Sequence, residues 1–470
     1  MFCQLDTLRR CIPASIRKAL DDLPVTLDQT YAQTLRCIPE ERRQHAHRLF
    51  QCLIAAIRPL RVEELAEISA IEFDPKAAPN LVEDWRLLDP EKDVLAICSS
   101  LIVVVHVTGF KVVQFSHFSV KEYLTSGRLA VSGIGNICHY HIPLEPAHAT
   151  LTQACLTVLL QLDENVDKKR LWTFPLAFYA AQNWVRHAEF EGVAATLQIQ
   201  DTMKSLFDTK NSHLAAWNWI HDIDVPGQRS MDDLPEYPPP RQATALYYAT
   251  LCGFGWLVDH LIATQAEDVS ESPRHGRSPL HVASHKGYVD IIHVLLEHGA
   301  NVNKMDFFRE RPLHAASRGG YTKALRLLLE HGSDVDARNR NGDAALHLAS
   351  SSGHLEVIRI LLQHNADVNA RGLEDLTPLH VASHMGHVNV VQLLLDNGAD
   401  VNGRSEEEGS TALLLASRSN NVEVVRLLLE RGADVRLQGW EAKTALQLAR
   451  EGEHHEVAQL LLEHGASEEE

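Results

Sequence analysis

Several things are scarce in these 470 residues. No glycine is followed by lysine, so the loop G-x-x-x-x-G-K-[ST], which cradles phosphates with backbone N–H groups and a lysine, has nowhere to form. No G-x-S-x-G elbow and no H-E-x-x-H pair occurs, which removes common hydrolase and metalloprotease frames. None of the eight cysteines forms a C-x-x-C pair and most sit inside apolar helical runs, a usage suited to a reducing compartment. The N-terminus lacks a long apolar stretch, and the longest near-apolar run, Val94 to Val107, is too short to span a bilayer. The expected location is cytoplasmic, with the nucleus also open, and no membrane partner is expected. Positive charge is also short. Lys and Arg number 44 against 62 Asp and Glu, a net of −18 that repels phosphate backbones, so nucleic acid is not an expected partner.

What the chain has is repetition. The hexapeptides SPLHVA, RPLHAA, AALHLA and TPLHVA place His281, His314, His347 and His380 at successive spacings of 314−281, 347−314 and 380−347, each 33. Degenerate copies in step put Tyr247, Leu414 and Gln447 at the same place, giving about six or seven copies from Gln242 onward. In each copy Ser278 or Thr377 is a candidate helix cap, with Pro279 or Pro378 at the first helical position. Arg311 and Ala344 lack that cap, a loss of ~1 kcal/mol each. A glycine (Gly253, Gly287, Gly320, Gly353, Gly386) then breaks the chain before a second apolar-faced helix. That helix ends at Gly299, Gly332, Gly398, Gly432 or Gly465, where a left-handed residue is expected. One copy has Asn365, the next residue type to tolerate that conformation. The fifth copy carries RSNN in place of the inter-helix glycine pattern.

The T-P-L-H signature at a period of 33 resembles the ankyrin repeat, a turn plus two antiparallel helices per unit, over roughly half the chain. The resemblance implies a stacked α-solenoid that recognises protein partners through its turn tips and concave face, and no chemistry. It also implies that the four histidines are structural, hydrogen-bonding within and between repeats, and not metal ligands. Tip residues that suit interface anchors are Phe307, Phe308, Arg338, Arg340, Leu373, Glu374 and Trp440. Packing of the aromatics onto adjacent repeats is the alternative for those tips. Glu406 to Glu408 add an acidic run, and the tips alternate in sign. The terminal ASEEE reads as a solvated end.

The N-terminal part is different. Apolar spacing of three to four residues between Pro24, Pro39 and Pro59 predicts helices, with Pro39 starting one over Glu40–Ile57. The stretch IAAIRPLRVEELAEISAIEF, Ile54 to Phe73, then reads as a helix-turn-helix. A helix near DPEKDVLAICSS follows, then two β-rich runs, LIVVVHV and KVVQFSHF, joined near Thr108–Phe110 as a hairpin. Ser119 and Glu122 suggest a capping box for the next helix. Three helices and a hairpin make a winged helix. From Arg61 to Asp74 one Arg faces five acids, a net of −4, the wrong sign for reading DNA.

This combination resembles the GPI inositol-deacylase-type winged-helix segment that follows the NACHT nucleotide-binding module in fungal STAND proteins, the NOD-like receptors of fungi. CQLDTLRRC, Cys3 to Cys11, is similar to the last helix before it. Because the phosphate loop is absent, the chain is expected to be the sensor half of such a receptor without its nucleotide engine. The start of the chain almost on the family's helix favours a truncated product. VLLQLDEN (Val158–Asn165) only imitates an acidic Mg-binding strand.

Residues 131–225 read as helical, with Trp172, Trp184, Trp217 and Trp219 expected in the core. Cys138 to His141 lack a second half-site for zinc. The expected class is mainly α: a helical segment at 1–38, a winged helix at 39–130 with its β-hairpin, a helical middle at 131–225, a Pro-rich linker or packed strap at 226–241, and an ankyrin α-solenoid at 242–470. The expected function is non-enzymatic protein recognition, with no cofactor and no metal. A scaffold unrelated to nucleotide switching and an enzyme with an unrecognised site are the alternatives.

Overall fold

The computed structural model describes residues 26–73, 79–107, 109–127, 129, 135–224, 234–237, 244–265, 268–271, 275–406 and 408–467. The Cys3–Cys11 stretch, the hairpin residue Thr108, most of the Pro-rich segment and the last three glutamates lie outside them. The chain divides into two compact units, residues 1–241 and 242–470.

In the first unit, helix α1 (Leu27–Arg36) opens with a reciprocal cap: Gln29 N–H donates to Thr26 Oγ1 (3.2 Å) and Thr26 N–H to Gln29 Oε1 (3.3 Å). Pro39 sets a 3₁₀ turn, Glu40–Arg42, that feeds α2 (Arg43–Ala55), whose Ala46, Leu49, Phe50 and Ile54 are buried. Strand β1 (Leu60–Arg61) leads directly into α3 (Val62–Ser69), and β2 (Ile71–Glu72) pairs with β3 (Asn80–Leu81). Asp89 accepts from Lys92 N–H at 3.2 Å and Pro90 occupies the first position of α4 (Pro90–Cys98). Strands β4 (Ile102–Val107) and β5 (Phe110–Phe115) form the hairpin, and β1 pairs on the far side of β5, giving an antiparallel sheet of order β1-β5-β4 with Leu60 and Val104 both opposite Val113. This is the winged helix.

Helix α5 (Phe118–Thr125) starts differently from the sequence expectation. The cap is His117, whose Nδ1 accepts from Ser119 N–H at 3.2 Å; the Ser119 hydroxyl instead meets His117 Nδ1 (2.6 Å) and the Tyr31 hydroxyl (2.7 Å). An imidazole two residues upstream outcompetes the Ser–Glu box because it reaches the same Ser119 N–H while freeing the serine to bridge to α1.

The helical middle comprises α6 (Leu144–Leu159), α7 (Lys168–Leu171), α8 (Ala177–Ala188), α9 (Leu197–Phe207) and α10 (His213–Ile220). Trp184 and Trp217 meet edge to face at 5.3 Å in its core, and Trp217 Nε1 donates to Ala181 O at 2.9 Å. Trp219 is also buried and donates to Pro235 O at 3.1 Å, so the described part of the Pro-rich segment is packed on the helices. Trp172 departs from expectation: it is 67% exposed, because it follows the short α7 and falls on its outer side. The middle packs on the winged helix through α2 and α6. Thr150 Oγ1 donates to Gln51 Oε1 (3.3 Å) and Ile57 N–H to the Tyr179 hydroxyl (3.2 Å).

The second unit is a row of helix pairs. The inner helices are α11 (Ala245–Cys252), α13 (Pro279–Lys286), α15 (Pro312–Gly319), α17 (Ala345–Ser352), α19 (Pro378–Met385), α21 (Ala412–Arg418) and α23 (Ala445–Glu451). Their outer partners are α12 (Gly255–Gln265), α14 (Val289–Glu297), α16 (Thr322–Glu330), α18 (Leu355–Gln363), α20 (Val388–Asp396), α22 (Val422–Glu430) and α24 (His455–Glu463). Each inner helix packs on the next inner helix and each outer on the next outer, burying the Leu and Ala faces continuously. The expected left-handed positions are so occupied, Asn365 at φ 61° included, and between α21 and α22 Asn420 takes that conformation at φ 58° where a glycine is missing.

Candidate interaction surface

The four signature histidines set the inner-helix starts. Ser278 N–H donates to His281 Nδ1 (3.1 Å), and the equivalent bonds run from Arg311 to His314 (3.1 Å), Ala344 to His347 (3.2 Å) and Thr377 to His380 (3.1 Å). An Nδ1 that accepts leaves the proton on Nε2. That nitrogen donates into the next repeat: His281 to Glu310 O (3.0 Å), His314 to Ala337 O (3.0 Å), His347 to Leu376 O (3.1 Å) and His380 to Gly403 O (3.0 Å). Burial pushes all four imidazoles below their ordinary range, so the neutral ring is the folded form.

This revises the capping assignment. The hydroxyls of Ser278 and Thr377 do not hold the helix N–H groups; they turn to the imidazole Nδ1 at 2.8 and 2.7 Å. Where the histidine is missing, the threonine does cap: Thr244, Thr411 and Thr444 accept from the N–H groups of Tyr247, Leu414 and Gln447. Arg311 and Ala344 therefore forgo only a hydroxyl–imidazole bond, less than the full cap expected from sequence.

Sequence reading missed a second set of inter-repeat ties, at Tyr288, Tyr321, His354, His387, Asn421 and His454, each preceding an outer helix. His354 Nε2 donates to Arg318 O (3.0 Å), His387 Nε2 to Ser351 O (3.1 Å), Asn421 Nδ2 to Ser383 O (2.8 Å) and His454 Nε2 to Arg418 O (3.1 Å). The inter-helix glycines leave room for them: a Cβ on Gly320 would stand 2.7 Å from the His354 ring, and one on Gly353 2.9 Å from His387. The 33-residue register from Tyr288 to His387 was the available signal. A third ladder uses side-chain amides. Asn303 Nδ2 donates to Gly332 O (3.0 Å) while its Oδ1 accepts from Asp334 N–H (3.0 Å), and Asn369 and Asn402 repeat the pattern.

At the tips, the expected residues divide into two groups. Phe307 is 70% exposed and Phe308 50%; Phe307 rests one edge on Gly276, whose Cβ would meet it at 2.8 Å. Leu373 (49% exposed) and Glu374 stand out from a short 3₁₀ turn, with Glu374 at φ 55°. Arg340 is exposed, and among the described residues its guanidinium has no partner; its N–H donates to Phe308 O at 2.8 Å, which sets it beside the phenylalanines. Arg338, in contrast, is engaged within the solenoid. It donates to Arg371 O, Arg371 to Arg404 O (3.1 Å) and Arg404 to Gln438 O (2.6 Å), a ladder of exposed guanidiniums tying successive tips. Trp440 begins the 3₁₀ turn Trp440–Ala442, and its side chain lies outside the described atoms.

The tip charges also differ from a simple alternation. Asp306 is buried and accepts from the N–H groups of Phe308 (2.9 Å) and Glu310 (2.8 Å). Burial pushes the Glu310 carboxyl up, but its ion pair with Arg318 holds it below its usual range.

In the first unit, the acidic residues of α3 face inward. Glu64 (1% exposed) takes both Arg58 nitrogens (2.8 and 2.6 Å) and caps its own helix by accepting Arg61 N–H (2.7 Å). Glu67 (4% exposed) accepts Leu176 N–H at the start of α8 (2.6 Å) and pairs with Arg86 (3.2 Å). Burial raises its carboxyl to about 7 against those two donors. Behind it, Tyr179 OH and His148 Nδ1 flank His187 (2.8 and 2.9 Å), whose imidazole burial lowers to about 3. His139 and His47 rings lie 5.0 Å apart; among the described residues no three His, Cys, Asp or Glu side chains converge as metal ligands. Nor is any described helix long and apolar enough to cross a membrane.

The repeats match the ankyrin families: "Ankyrin repeats (3 copies)" over residues 303–372 and 371–439, and "Ankyrin repeat" over 275–307 and 443–468. Residues 33–132 match "GPI inositol-deacylase, winged helix domain". The chain thus carries ankyrin repeats, which point to a role in protein–protein interaction, and a winged-helix domain of that type. A curated relative, azaphilone pigments biosynthesis cluster protein L of Monascus ruber, is 29% identical over 305 residues, which are 60% of this chain and 61% of the relative; the match therefore spans less than two thirds of that protein. Among solved structures, the human ASB11 ankyrin repeat domain is 31% identical with a TM-score of 0.43, covering 48% of this chain and 99% of that one. The ankyrin repeat domain of Bcl-3, of the IkappaB family, is 28% identical with a TM-score of 0.42, covering 47% of this chain and all of that one.

Proposed function

We propose that this protein is a non-enzymatic recognition protein whose solenoid tips bind another protein, and that it acts as the sensor half of a NOD-like receptor of the NACHT type without the nucleotide-binding module. The observation that carries the reading is the exposed pair Phe307 and Phe308 on a repeat whose own core is filled: covering an aromatic ring is worth roughly 1.5–3 kcal/mol when fully achieved. Leu373 and Glu374 extend the surface, Arg340 belongs to it as an unpaired cation, and Trp440 is the remaining tip candidate; Arg338 contributes by fixing one tip to the next. The winged helix and helical middle serve as one placement unit. The inward turn of Glu64 and Glu67 argues against α3 as a DNA-reading element, since that helix has no free cation and is spent on α8. A cytoplasmic location, no cofactor and no metal complete the proposal.

The test has two arms. Affinity capture with the full chain and with a Phe307→Ala, Phe308→Ala double variant is expected to lose the specific partner in the variant while the far-ultraviolet helical signal stays unchanged; equal capture removes those residues from the surface. Calorimetry with ATP and Mg is expected to show no binding. Tight Mg-dependent binding would sink the reading of a receptor half lacking its nucleotide module.

A further inference from the structure

We infer that the tips from Met305 to Glu406 seat one extended segment of a partner protein with asymmetric charge: acidic and apolar where it covers Phe307 and Phe308, basic where it covers Glu374 and Glu406. The inference rests on the reading of the solenoid as a protein-binding module and deepens it by naming the chemistry of the partner.

The argument is a count of unspent charge. On the two tips spanning residues 298–311 and 331–344, Asp306 pairs with Arg277 (3.5 Å), Glu310 with Arg318 and Asp334 with Arg311. Asp336 and Asp343 keep their charge and are held by the N–H groups of Asp367 (2.9 Å) and Leu373 (3.0 Å). Arg309, next to Phe308, and Arg340, hydrogen-bonded through its backbone to Phe308, are exposed, and among the described residues neither guanidinium has a partner. The aromatic pair is therefore accompanied by two exposed guanidiniums that have no ion-pair partner among the described residues, one next to it in the chain and one tied to it by a backbone bond.

On the next two tips the sign reverses. Arg371 is spent on Asp375 and Arg404 O, and Arg404 on Gln438 O. The Glu374 and Glu406 carboxylates are exposed and, among the described residues, have no ion-pair partner. The arginine ladder that joins these tips makes the row a fixed surface, so a ligand meets the two charge zones in a set order. Opposite charges laid over unpaired ones gain by complementarity and exclude segments of reversed polarity, which fixes orientation more than affinity. The chain's own net charge of −18 does not decide the matter, because the local field near the phenylalanines is set by the unpaired groups within a Debye length.

The experiment uses the full chain, panned against a displayed library of random 16-residue peptides at moderate salt. The expected result is enrichment of sequences with Asp or Glu next to Leu, Met or Phe toward one end and Lys or Arg toward the other. An enriched peptide, synthesised with a fluorophore, should bind at least tenfold more weakly to the Arg309→Glu, Arg340→Glu variant and to the Phe307→Ala, Phe308→Ala variant. Against Glu374→Lys, Glu406→Lys the loss should be severalfold, and a peptide with all charges reversed should not bind the wild type. All six positions are exposed, so variants that keep the wild-type melting temperature report on binding. Enriched peptides whose affinity ignores these substitutions, or peptides with no charge asymmetry, overturn the inference while leaving the protein-binding reading in place. A library that yields no enriched sequence also overturns it, and the broader reading falls with it only if the capture experiment fails as well.

Discussion

The two units satisfy their buried polar groups in opposite ways. In the first, each buried carboxylate is a single event: Glu64 meets Arg58 six residues away, and Glu67 meets a backbone N–H 109 residues further along the chain. In the second, the recurring ties reach one repeat away, and a neutral imidazole or amide makes the bond. A buried ion pair that loses one member leaves a charge stranded at high cost, whereas a repeated neutral bond spreads the same duty over many weaker links. The contrast says that single changes should damage the first unit more than the second, and that Glu67 and the signature histidines should answer acid with opposite signs.

The largest effect is expected from Glu64→Ala, which strips the acceptor from both Arg58 and the Arg61 N–H. The loss should be about 2–3 kcal/mol, somewhat below that of a fully buried pair because Arg58 is partly exposed. Urea denaturation followed by tryptophan fluorescence, which Trp184, Trp217 and Trp219 dominate in this unit, measures it. An unmoved midpoint would mean the pair holds nothing.

Next comes pH. The Glu67 carboxyl sits at about 7 when folded against 4.5 as its ordinary value, so the folded state holds the proton more tightly. Its contribution is full below pH 4.5 and is lost as pH rises through 7. Relative to Glu67→Gln, the wild-type first unit should gain about 2 kcal/mol between pH 7 and 5. The signature histidines are depressed, so what they contribute is present above pH 6.5 and lost as pH falls below it. Protection factors from amide exchange, which correct for the intrinsic slowing of exchange in acid, should therefore fall over residues 312–396 on acidification. Protection there that is indifferent to pH would break the comparison.

The smallest and sharpest test lies within the solenoid. His380→Ala removes an N–H acceptor and two carbonyl contacts and should cost between about 1 and 2 kcal/mol. Thr411→Ala, at the start of an inner helix that has Leu414 in the histidine's place, removes one cap and should cost ~1 kcal/mol. If the two losses are equal in thermal melts, the imidazole is no more than a cap.

The solenoid was legible because its constraints are local and recur. A left-handed φ at Gly353 or Asn365, a helix start three residues before His347, and an apolar outer face all read from a window shorter than one repeat. The winged helix was legible for the same reason, from Pro39, Pro59 and the alternation of the hairpin. The candidate surface was half legible. Aromatic and arginine tips stand out in the sequence, but whether a given charge is spent is a matter of neighbours: Arg338 and Arg340 look alike in the chain, and only one has its guanidinium bound to the next tip. The burial of the α3 acids was not legible for the same reason, since nothing near Glu67 in sequence announces Leu176.

What the sequence determined by itself, then, is the repeat, its period and its helix boundaries. The tertiary structure alone decided which carboxylates are buried, which arginines are free, and that Ser278 and Thr377 serve an imidazole in place of a helix end. The physical reason is range: backbone conformation and periodic burial are set within a few residues, while desolvation and charge pairing are set by whichever groups, however distant in the chain, folding brings within hydrogen-bonding distance.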